Sequence, residues 1–287
     1  MVGNGAALPT GLVLDGLLRE WLLEDVGRGD RTTEALQLNQ KEGKGQWICK
    51  EEGVIAGLPI AVRVFQLLSA EVEVLPLVAE GAVCDRGQPI LKMEGPLGVL
   101  LTGERVALNL AMRLSGIATT TRRYAEKIAD LPTRLVDTRK TTPGLRVLEK
   151  YATRVGGALN HRMGLDDAVM IKDNHIVAAG GIETAIAQIR AQVPYPLAIE
   201  VETETLEQVT EALRLGADII MLDNMPLETM QVAVGMIREA NKRIKIEASG
   251  NVTLETIRAV AETGVDYVST SAPITRSSWL DLSMRLG

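Results

Sequence analysis

Several short apolar runs in this sequence end on residues equipped for chemistry. Asp137-Thr138-Arg139-Lys140 follows one run, Lys172-Asp173-Asn174 another, Glu200 with Glu202 a third, and Asp223-Asn224 a fourth. Glu247 with Ser249-Gly250-Asn251, and the stretch from Ser269 to Ala272, complete the series. A core has no use for an unpaired ammonium, so Lys172, directly after the apolar run 168–171, reads as functional. Arg139, Lys140, His161, Arg162 and Lys172 together suit one substrate with two carboxylates and a second that carries phosphates. Guanidinium groups grip planar carboxylates in pairs of hydrogen bonds, and an ammonium serves as a compact point charge. The plainer alternative pairs some of these cations with Asp166, Asp167 and Asp173. Glu202 and Asp223, beside such cations, could hold ribose hydroxyls, bind Mg²⁺ through oxygen, or stabilise a positively charged sugar transition state. Their plain alternative is a pair of solvated loop acids. Ser249, Gly250 and Asn251 precede a helix, and Thr270, Ser271 and Ala272 lie past the next strand; main-chain N–H groups at such turns bind phosphate.

Charge narrows the class of partner. The 287 residues carry a net charge of -6, with 46% hydrophobic and 24% charged side chains, which excludes a general nucleic-acid binder. Between Asp137 and His175, however, seven lysines and arginines face five carboxylates, and both histidines, His161 and His175, fall in the same window. A local excess of positive charge in an acidic chain suggests a pocket for a small anion, against the alternative of a solvated charged face. Apolar runs are too short to span a membrane, and the first nine residues lack a basic stretch ahead of an apolar one. Cys49 and Cys84 are far apart in sequence and show no metal-knuckle spacing, so a reducing cytoplasm is expected.

The polar ends need a scaffold. Leucines and Trp21 at helical spacing predict a helix over 12–24, and β-like runs at 46–49, 72–78 and 89–93 flank a helical pattern at 59–68. Another helix is expected over 103–129, broken at Gly116. From about residue 134 the pattern becomes strand then helix, with strands at 134–137, 168–171, 197–201, 218–222, 244–247 and 266–269, which calls for parallel pairing. Thr205 with Gln208 forms a capping box, and Gly216 and Gly264 sit where left-handed helix ends belong. Repeats of 23 or 24 residues fit an α/β barrel, and the length available favours an incomplete one of six or seven strands covered by an N-terminal domain.

The runs Asp137-Thr138-Arg139-Lys140-Thr141-Thr142-Pro143-Gly144, Asn160-His161-Arg162-Met163-Gly164-Leu165 and Ile171-Lys172-Asp173-Asn174-His175 resemble those of the quinolinate phosphoribosyltransferases. So do Gly103-Glu104-Arg105, Ser115-Gly116-Ile117-Ala118-Thr119, and the strand ends at 200–202 and 222–224, so that the likeness covers nearly the whole chain. The resemblance implies an α/β fold: an N-terminal α/β sandwich over 1–115 joined by 275–287, and a seven-stranded open α/β barrel over 116–274. It implies transfer of phosphoribosyl from phosphoribosyl pyrophosphate to quinolinate with Mg²⁺, giving nicotinate mononucleotide, pyrophosphate and CO₂ in NAD biosynthesis. By position, Thr138, Arg139, His161, Arg162 and Lys172 would bind quinolinate, and Arg105 would reach in from a neighbouring subunit of a homodimer, the minimal active unit, with a hexamer as the larger option. Lys140 would contact the phosphoribosyl donor, Glu202 and Asp223 the ribose and metal region, and the 249–251 and 270–272 loops the 5′-phosphate. Asn251 and Ser271 stand where the family usually has glycine, and Ser271 brings a Cβ that could narrow the phosphate's approach. Two rivals follow: a related barrel enzyme using nicotinate or another heterocyclic acid, and a non-catalytic nucleotide-binding subunit.

Overall fold

Six short strands run parallel in the order Arg134–Val136, Tyr267–Ser269, Lys245–Ser249, Ile219–Asp223, Ile199–Thr203 and Val169–Ile171. The computed structural model describes residues 6–287, so the leader reading over the first nine residues lies partly outside it. A seventh strand is reduced to one bridge, Leu159 beside Val136. It goes no further because the next two residues turn to serve another group: Asn160 Nδ2 and the His161 main-chain N–H both donate to Asp137, at 2.6 and 2.8 Å. The seven-stranded open barrel is thus six strands plus a single paired residue.

Alternation along the strands separates scaffold from chemistry. Val201, Ile220, Leu222, Ile246 and Ala248 join helix residues Ile186, Val209, Ala233 and Ile257 in one apolar core. The residues between them, Glu200 and Glu202, Met221 and Asp223, Glu247 and Ser249, necessarily point the other way, into the barrel. Helix ends keep the repeats in register. Thr205 and Gln208 cap each other's main chain at the start of Leu206–Arg214, and Gly216 and Gly264 adopt left-handed backbone, with φ of 72° and 95°.

The barrel lies within a unit comprising Arg123–Thr141 and Ala158–Thr275; a second unit gathers Met1–Arg122, Thr142–Gly157 and Arg276–Gly287. In the second unit an antiparallel sheet runs in the order Leu282–Leu286, Glu42–Cys49, Pro89–Pro96, Glu73–Pro76. Trp47 and Phe65 are buried and meet edge to face with centroids 6.5 Å apart. Helix Arg146–Gly156 also packs here, around a fully buried Glu149. That carboxylate accepts from Arg113 Nη2 at 2.7 Å, Thr142 Oγ1 at 2.9 Å and the Thr142 main-chain N–H at 2.8 Å.

The helix expected over 103–129 spans Leu97–Glu126, and Gly116 does not break it. The glycine serves close approach instead: a β-carbon there would overlap the Ser278 carbonyl oxygen. Gly116→Ala therefore improves local helix propensity yet costs about 1–3 kcal/mol through overpacking. Thermal unfolding should show a lower Tm, and an unchanged or higher Tm would contradict the contact.

Candidate active site

A cavity of about 500 Å³ opens at the carboxyl ends of the barrel strands. The loop after Arg134–Val136 brings Thr138, Arg139 and Lys140 to its wall; the segment after Leu159 brings His161 and Arg162. Lys172, Glu202, Asp223 and the turn Ser249-Gly250-Asn251 arrive from four further strand ends. Strand ends converge here because parallel strands all finish on the same side. Met170, Met221, Asn224, Glu247 and Ser269 complete the lining. Asn224, Glu247 and Ser269 stand among the polar strand ends read from the sequence, without a role of their own; Met170 and Met221 do not, although strand alternation places Met221 with Asp223.

The cations are crowded together. Burial pushes the Arg162 guanidinium below its ordinary range, neighbouring Arg139 adds to that push, and Glu200 opposes it. Arg162 Nη1 donates to the Ala168 carbonyl at 2.8 Å, which fixes the direction of the fork. Arg139 Nε is buried and finds no hydrogen-bond partner among the described residues. Lys172 Nζ lies 3.1 Å from Glu202 Oε2, and burial raises the Glu202 carboxyl while Lys172 pulls it back down. Two crowded guanidinium groups, one with an unused donor, make a site that an anion completes.

The turn region is built from left-handed backbone. Asn224 and Asn251 have φ of 52° and 49°, and Gly250 has φ of 94°. Asn251 thus takes up the conformation asparagine tolerates where most residues do not. Asn251 Nδ2 donates to Asn224 Oδ1 at 3.0 Å, and Asn224 Nδ2 donates to Asp223 Oδ2 at 2.7 Å. A β-carbon on Gly250 would stand 2.9 Å from the Asn224 main-chain nitrogen, so only glycine fits. Thr270, Ser271 and Ala272 do not line the cavity. Thr270 Oγ1 instead donates to the Val252 carbonyl at 3.2 Å and accepts from the Ala272 N–H at 3.2 Å, tying one turn to the other. Arg105 is exposed on the long helix and lines a separate cavity of the second unit, about 610 Å³, with Arg113 and Trp279. Of the seven cations counted in the sequence window, Arg146, Lys150 and Arg154 belong to helix Arg146–Gly156 and do not line the barrel cavity.

Residues 30–115 match the family described as Quinolinate phosphoribosyl transferase, N-terminal domain, and residues 117–285 match its C-terminal domain. The chain belongs to the quinolinate phosphoribosyl transferase family. A relative named probable nicotinate-nucleotide pyrophosphorylase [carboxylating], from Synechocystis sp., is 61% identical over 97% of this chain and 94% of its own length. A relative of the same name from Bacillus subtilis is 44% identical over 95% and 93%. The crystal structure of NadC from Streptococcus pyogenes superposes with a TM-score of 0.93 at 43% identity, covering 98% of this chain and 99% of that one.

Beneath the quinolinate phosphoribosyl transferase pocket lies a layer of buried acids that the sequence reading placed at strand ends but gave no role. Asp137, Glu200 and Glu247 are 2%, 2% and 3% exposed. His161 Nε2 is 3.1 Å from Glu200 Oε2 and 3.5 Å from Glu247 Oε2. Burial pushes the Glu247 carboxyl up to about 7, with Glu200 and Asp137 adding to the rise and His161 and Ser269 opposing it. A native carboxyl that keeps its proton to higher pH than the unfolded chain stabilises most below the ordinary value of 4.5. That contribution is lost as pH climbs from there to about 7. Urea unfolding across this window should show stability falling with pH, with a shallower slope in Glu247→Gln. An identical slope in the variant would assign the effect elsewhere.

Proposed function

We propose a division of labour in the pocket for the reaction this chain carries out, transfer of phosphoribosyl from phosphoribosyl pyrophosphate to quinolinate with loss of CO₂. The products are nicotinate mononucleotide, pyrophosphate and CO₂, a step of NAD biosynthesis. Arg139 and Arg162 receive the two carboxylates with Lys172, with His161 beside them at the cavity wall, and the observation that carries this is the crowding of both guanidiniums around an unused Arg139 donor. Thr138 contributes its hydroxyl beside them. Lys140, exposed at the same wall, meets the phosphoribosyl donor. The turn 249–251 takes the 5′-phosphate on main-chain N–H groups, with the loop 270–272 tied to the segment that follows it through Thr270 Oγ1 and the Val252 carbonyl.

Held this way, the pyridine nitrogen faces the anomeric carbon of the donor. The nitrogen's lone pair forms the new bond as the carbon–oxygen bond to pyrophosphate breaks, and the sugar passes through a cationic state that Glu202 and Asp223 stabilise. The alkylated ring is then itself a cation. It accepts the electron pair released when the adjacent carbon–carboxylate bond breaks, CO₂ departs, and that ring carbon takes up a proton. Arg139 and Lys172 keep the departing and the retained carboxylate in line.

Glu202 and Asp223 also fit Mg²⁺: hard oxygen donors at neighbouring strand ends, inside the same cavity. Mg²⁺ held there would neutralise charge on the pyrophosphate. Two carboxylates alone leave most of an octahedral shell to substrate oxygens and water, as is usual for this ion.

Arg105 does not line the barrel cavity of its own chain, and we assign it to the pocket of a neighbouring subunit, which makes a homodimer the minimal active unit and leaves a hexamer as a larger assembly. Mixing Arg105→Ala with Lys172→Ala protein, each inactive alone, should restore about one quarter of wild-type activity through hybrid dimers. No recovery would refute the shared site. A cytoplasmic location accords with two free, buried cysteines.

The deciding assay incubates the protein with phosphoribosyl pyrophosphate, Mg²⁺ and either quinolinate or nicotinate. Quinolinate should yield nicotinate mononucleotide, pyrophosphate and CO₂ in equal amounts, and nicotinate should yield none. Equal use of nicotinate would favour the rival barrel enzyme, and no product from either would favour a non-catalytic subunit.

A further inference from the structure

Both ring nitrogens of His161 are already engaged. Nδ1 accepts the main-chain N–H of Arg162 at 2.7 Å, so it carries no proton of its own. The ring proton therefore sits on Nε2, 3.1 Å from Glu200 Oε2. Glu200 is buried with Glu247 behind it, and each keeps one oxygen without a hydrogen-bond partner among the described residues. Such a buried pair is costly unless it serves a purpose. The imidazole links Glu200, on the strand Ile199–Thr203, to the main chain of Arg162, whose guanidinium reaches the cavity wall.

We propose that Glu200 is a positioning residue for the transfer reaction: it holds His161 as the Nε2–H tautomer, which keeps Nδ1 free to fix the Arg162 main chain and so aims that guanidinium at quinolinate. Glu200 touches neither substrate nor reacting atoms. Its loss lets the ring take its proton on Nδ1, where it repels the Arg162 N–H instead of accepting it. The consequence is a substrate-specific loss of affinity, with the phosphoribosyl donor's site untouched. This rests on the reading that Arg162 binds quinolinate.

Two measurements on the intact enzyme test it. The chain has only two histidines, so protein labelled with [¹⁵N]histidine gives two imidazole signals, and His175→Gln assigns them. His161 should show an unprotonated Nδ1 and a protonated Nε2 at neutral pH; a proton on Nδ1, alone or as well, overturns the proposal. In steady-state assays Glu200→Ala should raise the quinolinate KM about tenfold or more while kcat and the KM for phosphoribosyl pyrophosphate stay within about threefold. Glu200→Gln, which keeps an acceptor oxygen in place, should restore the quinolinate KM to within about threefold of wild type. An unchanged KM in the alanine variant, or a glutamine variant that folds normally and is as impaired as alanine, refutes the role. If the alanine variant does not fold, the glutamine variant and the nitrogen signals still decide. Failure of the underlying reading would look different: wild-type protein would not use quinolinate, while the tautomer would still be read.

Discussion

Arg162→Ala should raise the KM for quinolinate by about two to three orders of magnitude. A charge-assisted, paired contact to a carboxylate in a partly buried site is worth about 2–5 kcal/mol when one partner is truncated. Arg162 meets those conditions: it is half-buried, its fork is directed by the Ala168 carbonyl, and burial beside Arg139 already strains its charge. Quinolinate relieves that crowding, so wild type gains on binding what the alanine variant cannot. Arg162→Lys should recover less than a tenth of the loss, because an ammonium cannot reproduce a planar fork. Steady-state kinetics with quinolinate varied at saturating phosphoribosyl pyrophosphate measure this. A KM within threefold of wild type in Arg162→Ala would remove the guanidinium from the site.

Glu202→Gln should behave in the opposite way, lowering kcat by about 10²–10³ while the quinolinate KM changes little. Burial penalises the Glu202 carboxylate in the resting enzyme, and Lys172 at 3.1 Å offsets part of that penalty. The charge becomes most favourable when a cationic sugar develops opposite it, so its removal weakens the transition state more than the bound substrate. Glutamine also releases Lys172 from its partner, which leaves the ammonium at least as available to a carboxylate as before. A variant whose KM rises while kcat holds would place Glu202 on substrate binding instead.

Much of this arrangement is readable from residue order, and the failures share a cause. All six parallel strands show as apolar runs, since a buried strand must be apolar on its outward side whatever it carries inward. The polar residues that end those runs, from Arg139 to Asn251, reach one cavity because the fold gives parallel strands a common end. Helix Arg146–Gly156 went unread: Glu149 and Lys150 look like surface charges in sequence, yet both are fully buried. Composition counts a charge and says nothing of its partner. The same blindness hid the Glu200–His161 contact, whose members lie 39 positions apart and meet only through the curvature of the barrel. Gly116 misled for a related reason, because its missing side chain answers to Ser278 and not to its own helix. Interactions set by neighbours in sequence were legible, and those set by neighbours in space were not.

Strand Leu282–Leu286 pairs with Glu42–Cys49 across almost the full length of the polypeptide, and Thr142–Gly157 joins the same unit from between. During synthesis the barrel segments therefore emerge before the sheet's outermost strand exists. Until that strand arrives, Glu42–Cys49 presents an open hydrogen-bonding edge, the kind of surface that recruits another nascent chain. Order of emergence thus leaves the edge of Glu42–Cys49 bare until Leu282–Leu286 is made, after every barrel strand has appeared.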